Sequence, residues 1–572
     1  MLRLDVTGPG EWHRERQASV LVLRAFALWV VSSQNEPEQA DSRVRFLPEE
    51  SQPASHAPYL SDRCLSDWLQ HHSVNRPDQI ALESGDQRVS YGELAKQVAQ
   101  VAAGLRAMDL KRGDVVALQL PNGVSFVVCY LAVCSLGCVV QMLHMPYRKR
   151  ELRYLLTDAD AAAVICLSSF KDESPADTML EIAQTDLPRL RVVAVGNAPE
   201  GAFRLDDLNQ EQAGGFLTNP QPDWPFVLLY TSGTTADPKG VVHYYDRFLG
   251  NAAIAAKELE ITASTKVLCV AAFSHLYGLF TLNMCLFKGA TAVLLPGFTP
   301  PAFKQALIEF KPSAVFAAPA HFMACLTQRL LTANELSSVS LVCLSGSKVP
   351  EELARTVEDL LSSGAVIQLW GMTELQAGTY GRPADAAAVR LLTAGRPSPG
   401  TELRIVDSRG MLLPEGKEGT LQIRGASVFA EYLNKPEETA RAFSDDGWFD
   451  TGDLAVLDAG GCLRLTGRVK ELINRGGVKY NPVEIEDIIS ELAVVQSCAV
   501  ASVEDPVLGE IACLYVVLTE HASLSLEEIQ TCLEAAEVAK YKWPERLVRL
   551  SQMPLTPTNK IARARLSEVV PD

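Results

Sequence analysis

Residues 228–243 read LLYTSGTTADPKGVVH, gathering five hydroxyl side chains, two glycines and a lysine at the end of the apolar run PFVLL. A chain that leaves a buried strand and at once presents this many donors is suited to a polyanion. Gly233 and Gly240 let the backbone approach closely, Thr231, Ser232, Thr234 and Thr235 offer hydroxyls, and Lys239 offers a point charge. A loop at the carboxyl end of a parallel strand is where phosphates bind in open α/β sheets. It is not a Walker A loop, because Lys239 precedes Gly240 and no Ser or Thr follows the lysine. Taken alone, the loop also fits a polar surface turn.

Composition narrows the partners. The chain has 572 residues, 47% hydrophobic and 21% charged, with a net charge of −17. That balance argues against a nucleic-acid binder, which would carry a basic stripe, while leaving room for a local cationic pocket. The 13 cysteines include no CxxC pair, and the nine histidines form no HExxH. The expectation is a reduced, cytoplasmic chain without structural metal. No run reaches 18 uninterrupted apolar residues, so no integral membrane span is expected. The nearest candidate, ASVLVLRAFALWVVSS at 18–33, follows the basic HRER but is interrupted by Arg24. It reads as a peripheral helix or leader rather than a signal peptide.

The elements that must position the loop follow from periodicity. Residues 34–60 are polar and rich in Pro and Ser, so 1–60 reads as an extension and linker, with order starting near Leu65. Ser90 and Glu93 predict a capping box, continued at helical spacing by Leu94, Val98, Val101 and Leu105. Apolar strands such as DVVALQL, CVVQML and AAAVICL then alternate with helices such as SFVVCYLAVCSLG and KRELRYLLTDA. The alternation continues through KVLCVAAF, TAVLLP, SAVFAAP, SLVCLSG and AVIQLWG, which predicts parallel α/β construction. Beyond about 395, TELRIVD, GTLQIRG and GCLRLTG read as a small β subdomain. The predicted organisation is a large domain over 61–467 and a small α+β domain over 468–572.

Four later motifs complete the pattern: QLWGMTEL, GWFDTGDLA, LTGRVKELINRGGVKYNPVEIE and PLTPTNKIARARL. With the 231–240 loop they resemble the adenylate-forming superfamily of acyl-CoA synthetases, nonribosomal adenylation domains and firefly-type luciferases. The resemblance runs from about Leu65 to Leu566. It implies a mobile C-terminal domain, ATP, Mg²⁺ and CoA as cofactors, and a small-molecule carboxylic acid as substrate.

The resemblance also implies roles. The 231–240 loop would hold the β- and γ-phosphates, with Ala236 where a glycine is common. Thr373 would meet the α-phosphate and Glu374 would hold the metal, although Glu374 taken alone also suits a charge in a first helical turn. Trp370, in place of the more frequent tyrosine, would stack on adenine beside Gly371 and Met372. Ser345, Gly346 and Ser347 of LSGSKVP would wall the adenine and acyl sites. Asp453 would accept from both ribose hydroxyls, Arg468 would contact the nucleotide, and Lys470 stands at the hinge position. Lys560 resembles the adenylation lysine, with Asn559 in place of the common glycine. Gly476 and Gly477 resemble the segment beside pantetheine, although a β-turn fits them too, and Lys479 would meet a CoA phosphate. Rotation about Lys470 would present first Lys560 and then the glycine segment.

Related CoA ligases carry a histidine where AAFSHLYGL places His275, beside the substrate carboxylate. Amino-acid-activating relatives use a nearby aspartate for the substrate ammonium; Phe273, Ser274 and His275 stand here instead. An apolar pocket of Phe273, Tyr277, Ala317, Ala318, Ala320 and His321 would suit an aryl, alicyclic or medium-chain acid. The reading is therefore an ATP-dependent carboxylate–CoA ligase. Two alternatives stay open: an enzyme that loads a carrier protein, and a non-catalytic nucleotide-binding homologue.

Overall fold

The computed structural model describes residues 58–208, 220–231, 238–476, 478–556 and 560–566. The expected segment 18–33, most of the linker, Ser232, Gly233, Thr234, Thr235, Ala236, Gly477 and Asn559 lie outside them.

Two large sheets carry the N-terminal part. In the first, Lys266–Cys269, Thr291–Leu294, Ala314–Ala317, Leu341–Leu344 and Ala365–Met372 run parallel, as their continuous apolar runs predict. In the second, Val115–Gln119, Val139–Met142, Ala163–Leu167, Arg191–Val195 and Pro225–Tyr230 form the parallel centre. The helix Val124–Ser135 is buried almost all round, which explains why its sequence shows no polar face. The helix Tyr91–Ala107 starts at the expected box: the Ser90 side chain accepts from the Glu93 amide while Glu93 accepts from the Ser90 amide. It buries Leu94, Val98, Val101 and Leu105.

The sequence alternation does not disclose the antiparallel additions. Gly240–Tyr244 turns back antiparallel beside Pro225–Tyr230, whose other edge belongs to the parallel sheet, so the 231–240 loop joins two antiparallel strands. Gln376–Tyr380 likewise turns back on Ala365–Met372. Thr373 and Glu374 thus sit on a hairpin tip. The reading of Glu374 as a helix first-turn charge is overturned, because no helix starts there.

The β subdomain is a four-stranded antiparallel sheet of Thr401–Val406, Gly419–Gly425, Phe449–Leu457 and Leu463–Arg468. A short 3₁₀ turn, Val469–Glu471, leads from it into the C-terminal sheet, which opens at Ile473–Arg475. The long hairpin Val495–Asp505 and Gly509–Leu518 forms that sheet's centre, with helices Val483–Ser490 and Leu526–Ala535 beside it in the chain. Arg475 pairs with Val478, so Gly476, at φ 57°, begins a hairpin turn. Among the described residues, no helix is long and apolar enough to cross a membrane.

Candidate active site

The base of the 231–240 loop is closed by its own backbone. The Thr231 amide donates to the Lys239 carbonyl at 3.0 Å, and the Lys239 amide lies 3.4 Å from the Thr231 hydroxyl. Gly240 is needed at this point for space. A Cβ there would come within 3.0–3.2 Å of Leu228, Tyr230 and Leu433. The packing of those three holds the loop's exit against the strand Glu431–Tyr432.

Lys239 does not project alone. Its Nζ lies 4.5 Å from the Tyr432 ring centre, and the Tyr432 hydroxyl donates to Glu374 Oε1 at 2.9 Å. One aromatic side chain therefore braces both the loop lysine and the acidic residue of QLWGMTEL. Burial raises the Glu374 carboxyl above its ordinary value; the Tyr432 hydrogen bond and the charges of Arg468 and Lys239 oppose that rise. Burial lowers Lys239, helped by the charge of Lys470. The hairpin tip is fixed from a third side, where His243 Nε2 donates to the Thr373 carbonyl at 2.6 Å. Burial holds His243 down at about 4, so it is neutral near pH 7. Tyr432 and His243 were not singled out from the sequence. Tyr432 lies 58 residues from Glu374, and His243 lies 130 from Thr373.

Gly371 answers another close approach. A Cβ there would fall 1.6 Å from the Gln376 carbonyl, so the hairpin carrying Met372, Thr373 and Glu374 closes only on glycine. Trp370 lies just before it, and its indole Nε1 donates to Asp453 Oδ2 at 3.0 Å. Arg468 Nε donates to the other oxygen at 2.8 Å. The charge of Asp453 is the main reason that the Arg468 guanidinium is held above its ordinary value.

Lys560 arrives from the C-terminal part. Its amide donates to the Thr556 hydroxyl at 3.1 Å and its carbonyl accepts from the Thr556 amide at 2.7 Å. Burial lowers its ammonium below the ordinary lysine value; Arg468 adds to the lowering, while Asp453 and Glu374 oppose it. His275 is held at about 3, by burial first and then by the charges of Lys560 and His144. His275 caps the helix Leu276–Lys288, its Nδ1 accepting from the Tyr277 amide at 3.2 Å. With Nδ1 an acceptor and the ring neutral, Nε2 carries the proton. His275 can thus donate one hydrogen bond without bringing charge. The charges of Lys239, Glu374, Asp453, Arg468 and Lys560 act on one another or on His275, and Thr231 meets Lys239 at the loop base.

Other candidates fall elsewhere. Ser345 is buried, Gly346 adopts φ 96°, and Ser347 is exposed. Beside them Lys348 pairs with Asp487 at 2.5 Å and joins this loop to the C-terminal part. Lys470 and Lys479 are exposed. The residues of the expected acyl wall differ in burial. Phe273, Tyr277 and Ala317 are buried in core clusters, with the Tyr277 hydroxyl donating to the Cys343 carbonyl. Ala320 is exposed on its helix, and His321 accepts from the Ala318 amide while its ring lies 4.3 Å from that of Phe298. Of that group, Ala318 alone is half-buried. A cleft of about 410 Å³ beside Phe203 and Arg204, at the opposite edge of the eight-stranded sheet, contains none of these residues.

Among the described residues no group of three or more His, Cys, Asp or Glu side chains could cage a metal. Glu374 is a buried carboxylate that shares Tyr432 with Lys239 of the 231–240 loop. That donor set fits Mg²⁺, which takes one or two carboxylates together with substrate phosphates.

Two α/β sheets, a β subdomain and a small C-terminal part whose buried Lys560 feels the charges of Arg468, Asp453 and Glu374 define an adenylate-forming architecture. The profile described as "AMP-binding enzyme" matches residues 69–433, and "AMP-binding enzyme C-terminal domain" matches 484–560. The chain belongs to the AMP-binding enzyme family. It is 31% identical over 510 residues to a medium-chain fatty-acid–CoA ligase of Escherichia coli (strain K12), covering 88% of this chain and 89% of the relative. It is 31% identical over 532 residues to a salicylyl-CoA synthase / salicylate adenylyltransferase of Streptomyces sp, covering 90% and 95%. The ATP-bound crystal structure of MatB from Rhodopseudomonas palustris matches with a TM-score of 0.80 at 26% identity, over 88% of this chain and 98% of that one.

Proposed function

We propose that the chain is an AMP-forming acid–thiol ligase that activates a hydrophobic carboxylic acid with ATP and transfers the acyl group to CoA. In the first step a carboxylate oxygen attacks the α-phosphorus. The new O–P bond forms as the bond to the bridging oxygen breaks, and pyrophosphate leaves. In the second step the CoA sulfur attacks the acyl carbon, the thiol proton is lost, and AMP leaves.

The observation that carries this reading is the placement of Lys560 among Asp453, Glu374, Arg468 and His275, although it arrives from the far end of the chain. A desolvated cation there suits the charge that develops at the α-phosphate. Neutral His275 would orient the attacking carboxylate by donation from Nε2. Thr231 and Lys239 would hold the outer phosphates, Thr373 the α-phosphate, and Asp453 the ribose. Glu374 would hold Mg²⁺, which when bound supplies neutralisation of the departing pyrophosphate. Lys470 would serve as the hinge, with the domain boundary at 467/468. The end of the strand Leu463–Arg468 and the exposed 3₁₀ turn after it support that position. Gly476, Gly477 and Lys479 would meet CoA once the small domain has turned.

The names of the fatty-acid and salicylyl relatives support a hydrophobic acid. Phe273, Tyr277, Ala317, Ala318, Ala320 and His321 would line the acyl pocket beside His275. A carrier protein as the final acceptor is the competing reading, and the salicylate adenylyltransferase half of the relative's name gives it weight. Pyrophosphate release across a set of aryl, alicyclic and medium-chain acids, with and without CoA, tests the proposal. Acyl-CoA detected by mass spectrometry supports it. Acyl-AMP that accumulates in the presence of CoA and discharges only onto a carrier protein overturns CoA as the acceptor.

A further inference from the structure

The Asp453 carboxylate is held by two donors, one on each oxygen. Trp370 Nε1 occupies Oδ2 at 3.0 Å and Arg468 Nε occupies Oδ1 at 2.8 Å. Asp453 is only 4% exposed and Trp370 only 6%. The two belong to different sheets and lie 83 residues apart in the chain. The indole has little freedom to turn: a Cβ on Gly378 would lie 2.5 Å from Trp370 Cζ3, so the backbone presses directly on the ring. The backbone of Asp453 is also fixed, its amide donating to the Thr451 hydroxyl at 3.1 Å.

A carboxylate has about four acceptor sites, two on each oxygen. Two are taken here, one per oxygen. What remains is one site on each oxygen, which is the pattern that a pair of vicinal hydroxyls can fill. A phenylalanine at position 370 would leave Oδ2 without its donor, and the carboxylate would be free to rotate about its Cβ–Cγ bond.

We propose that Trp370 is a positioning residue whose indole N–H orients Asp453 to read both ribose hydroxyls, so that it sets the preference for ribonucleotide over deoxyribonucleotide. This rests on the reading of Asp453 as the ribose carboxylate, and the experiment separates the two. Calorimetric Kd values for ATP, 2′-deoxyATP and 3′-deoxyATP are measured on the full chain, on Trp370→Phe, on Asp453→Asn and on the double variant. Trp370→Phe is expected to weaken ATP about tenfold, the scale of one hydrogen bond to a charged group. The deoxy analogues, which already lack one hydroxyl, should weaken much less, so the ATP preference shrinks. In the Asp453→Asn background the same change should add nothing to that loss. If Asp453→Asn leaves the preference intact, the ribose reading itself fails. If Asp453→Asn abolishes the preference while Trp370→Phe weakens all three nucleotides equally, or none, the positioning inference fails alone. Should Trp370→Phe not fold, β-(3-benzothienyl)alanine at position 370 keeps the ring shape, replaces N–H by sulfur, and must give the same loss of preference.

Discussion

Replacing Lys560 by alanine should separate the two half-reactions. The segment that carries Lys560 is held by backbone bonds that do not involve the ammonium, Thr556 with Lys560 and the Ala562 amide with the Pro554 carbonyl at 2.8 Å, so removing the ammonium leaves them in place. Burial and Arg468 lower its basicity, which marks it as desolvated and therefore strongly felt by a nearby phosphate. A lost donor of this kind costs about 2.7–4 kcal/mol in the transition state, or roughly 10²–10³ in rate. Adenylation, followed as acid-dependent ATP–pyrophosphate exchange, should fall by that factor. The attack of CoA on supplied acyl-AMP, followed in a single turnover, should change less than about threefold, because the turned small domain no longer presents position 560 to the nucleotide. A thermal melt matching that of the parent chain would exclude a folding defect. Equal losses in both half-reactions would refute the assignment of Lys560 to adenylation and, with it, the two-orientation scheme.

Tyr432→Phe keeps the ring beneath Lys239 but removes the donor to Glu374. It should weaken MgATP binding by about 1.5–3 kcal/mol, roughly 10- to 100-fold, in calorimetry, with the adenylation rate at saturation less affected. Calorimetry that finds an unchanged affinity would show that the hydrogen bond is idle. Acid should destabilise the fold through its buried histidines. His144, His243 and His321 titrate at about 4 and His275 at about 3, all lowered by burial, against an ordinary 6.5. The unfolded chain therefore binds more protons between those values. Their stabilisation is complete above pH 6.5 and declines as pH falls toward 4, by about 2 kcal/mol for each fully buried ring at pH 5. His243→Gln should flatten that part of a urea-melt pH profile, and an unaltered slope would contradict the burial argument. Lys348→Glu breaks an exposed pair with Asp487 and should cost adenylation no more than about fivefold. Asp487→Lys in the same chain should restore it, and failure to restore would mean that the pair does not join the two parts.

Much of the scaffold was legible because buried parallel strands read as unbroken apolar runs and the helices between them keep a 3.6-residue period. Leu94, Val98, Val101 and Leu105 lie where that period puts them. The antiparallel partners were harder to see. Gly240–Tyr244 and Gln376–Tyr380 are each five residues long and follow a turn, and nothing local says that the chain doubles back there. The motifs placed Thr373, Glu374, Asp453, Arg468 and Lys560 in the sequence, but the bonds that arrange them join distant segments. Trp370 meets Asp453, Tyr432 meets Glu374 and His243 meets Thr373 only after the sheets have assembled. The uneven burial of the expected acyl wall has a local reason. FAAPAHF crosses from strand to helix at Pro319, and the side-chain period changes there from two to 3.6. Ala317 ends in the core and Ala320 on the outer face, although a single apolar run suggested one surface.

The most direct test of the ligase account follows one oxygen atom. If the acid's own carboxylate attacks the α-phosphorus, an acid labelled with ¹⁸O in its carboxyl group must leave one labelled oxygen in the AMP released on thioester formation. Mass spectrometry of AMP after complete turnover with CoA is expected to find that single label, and pyrophosphate is expected to carry none. Unlabelled AMP, or ADP and inorganic phosphate in place of AMP and pyrophosphate, would contradict the acyl-adenylate route.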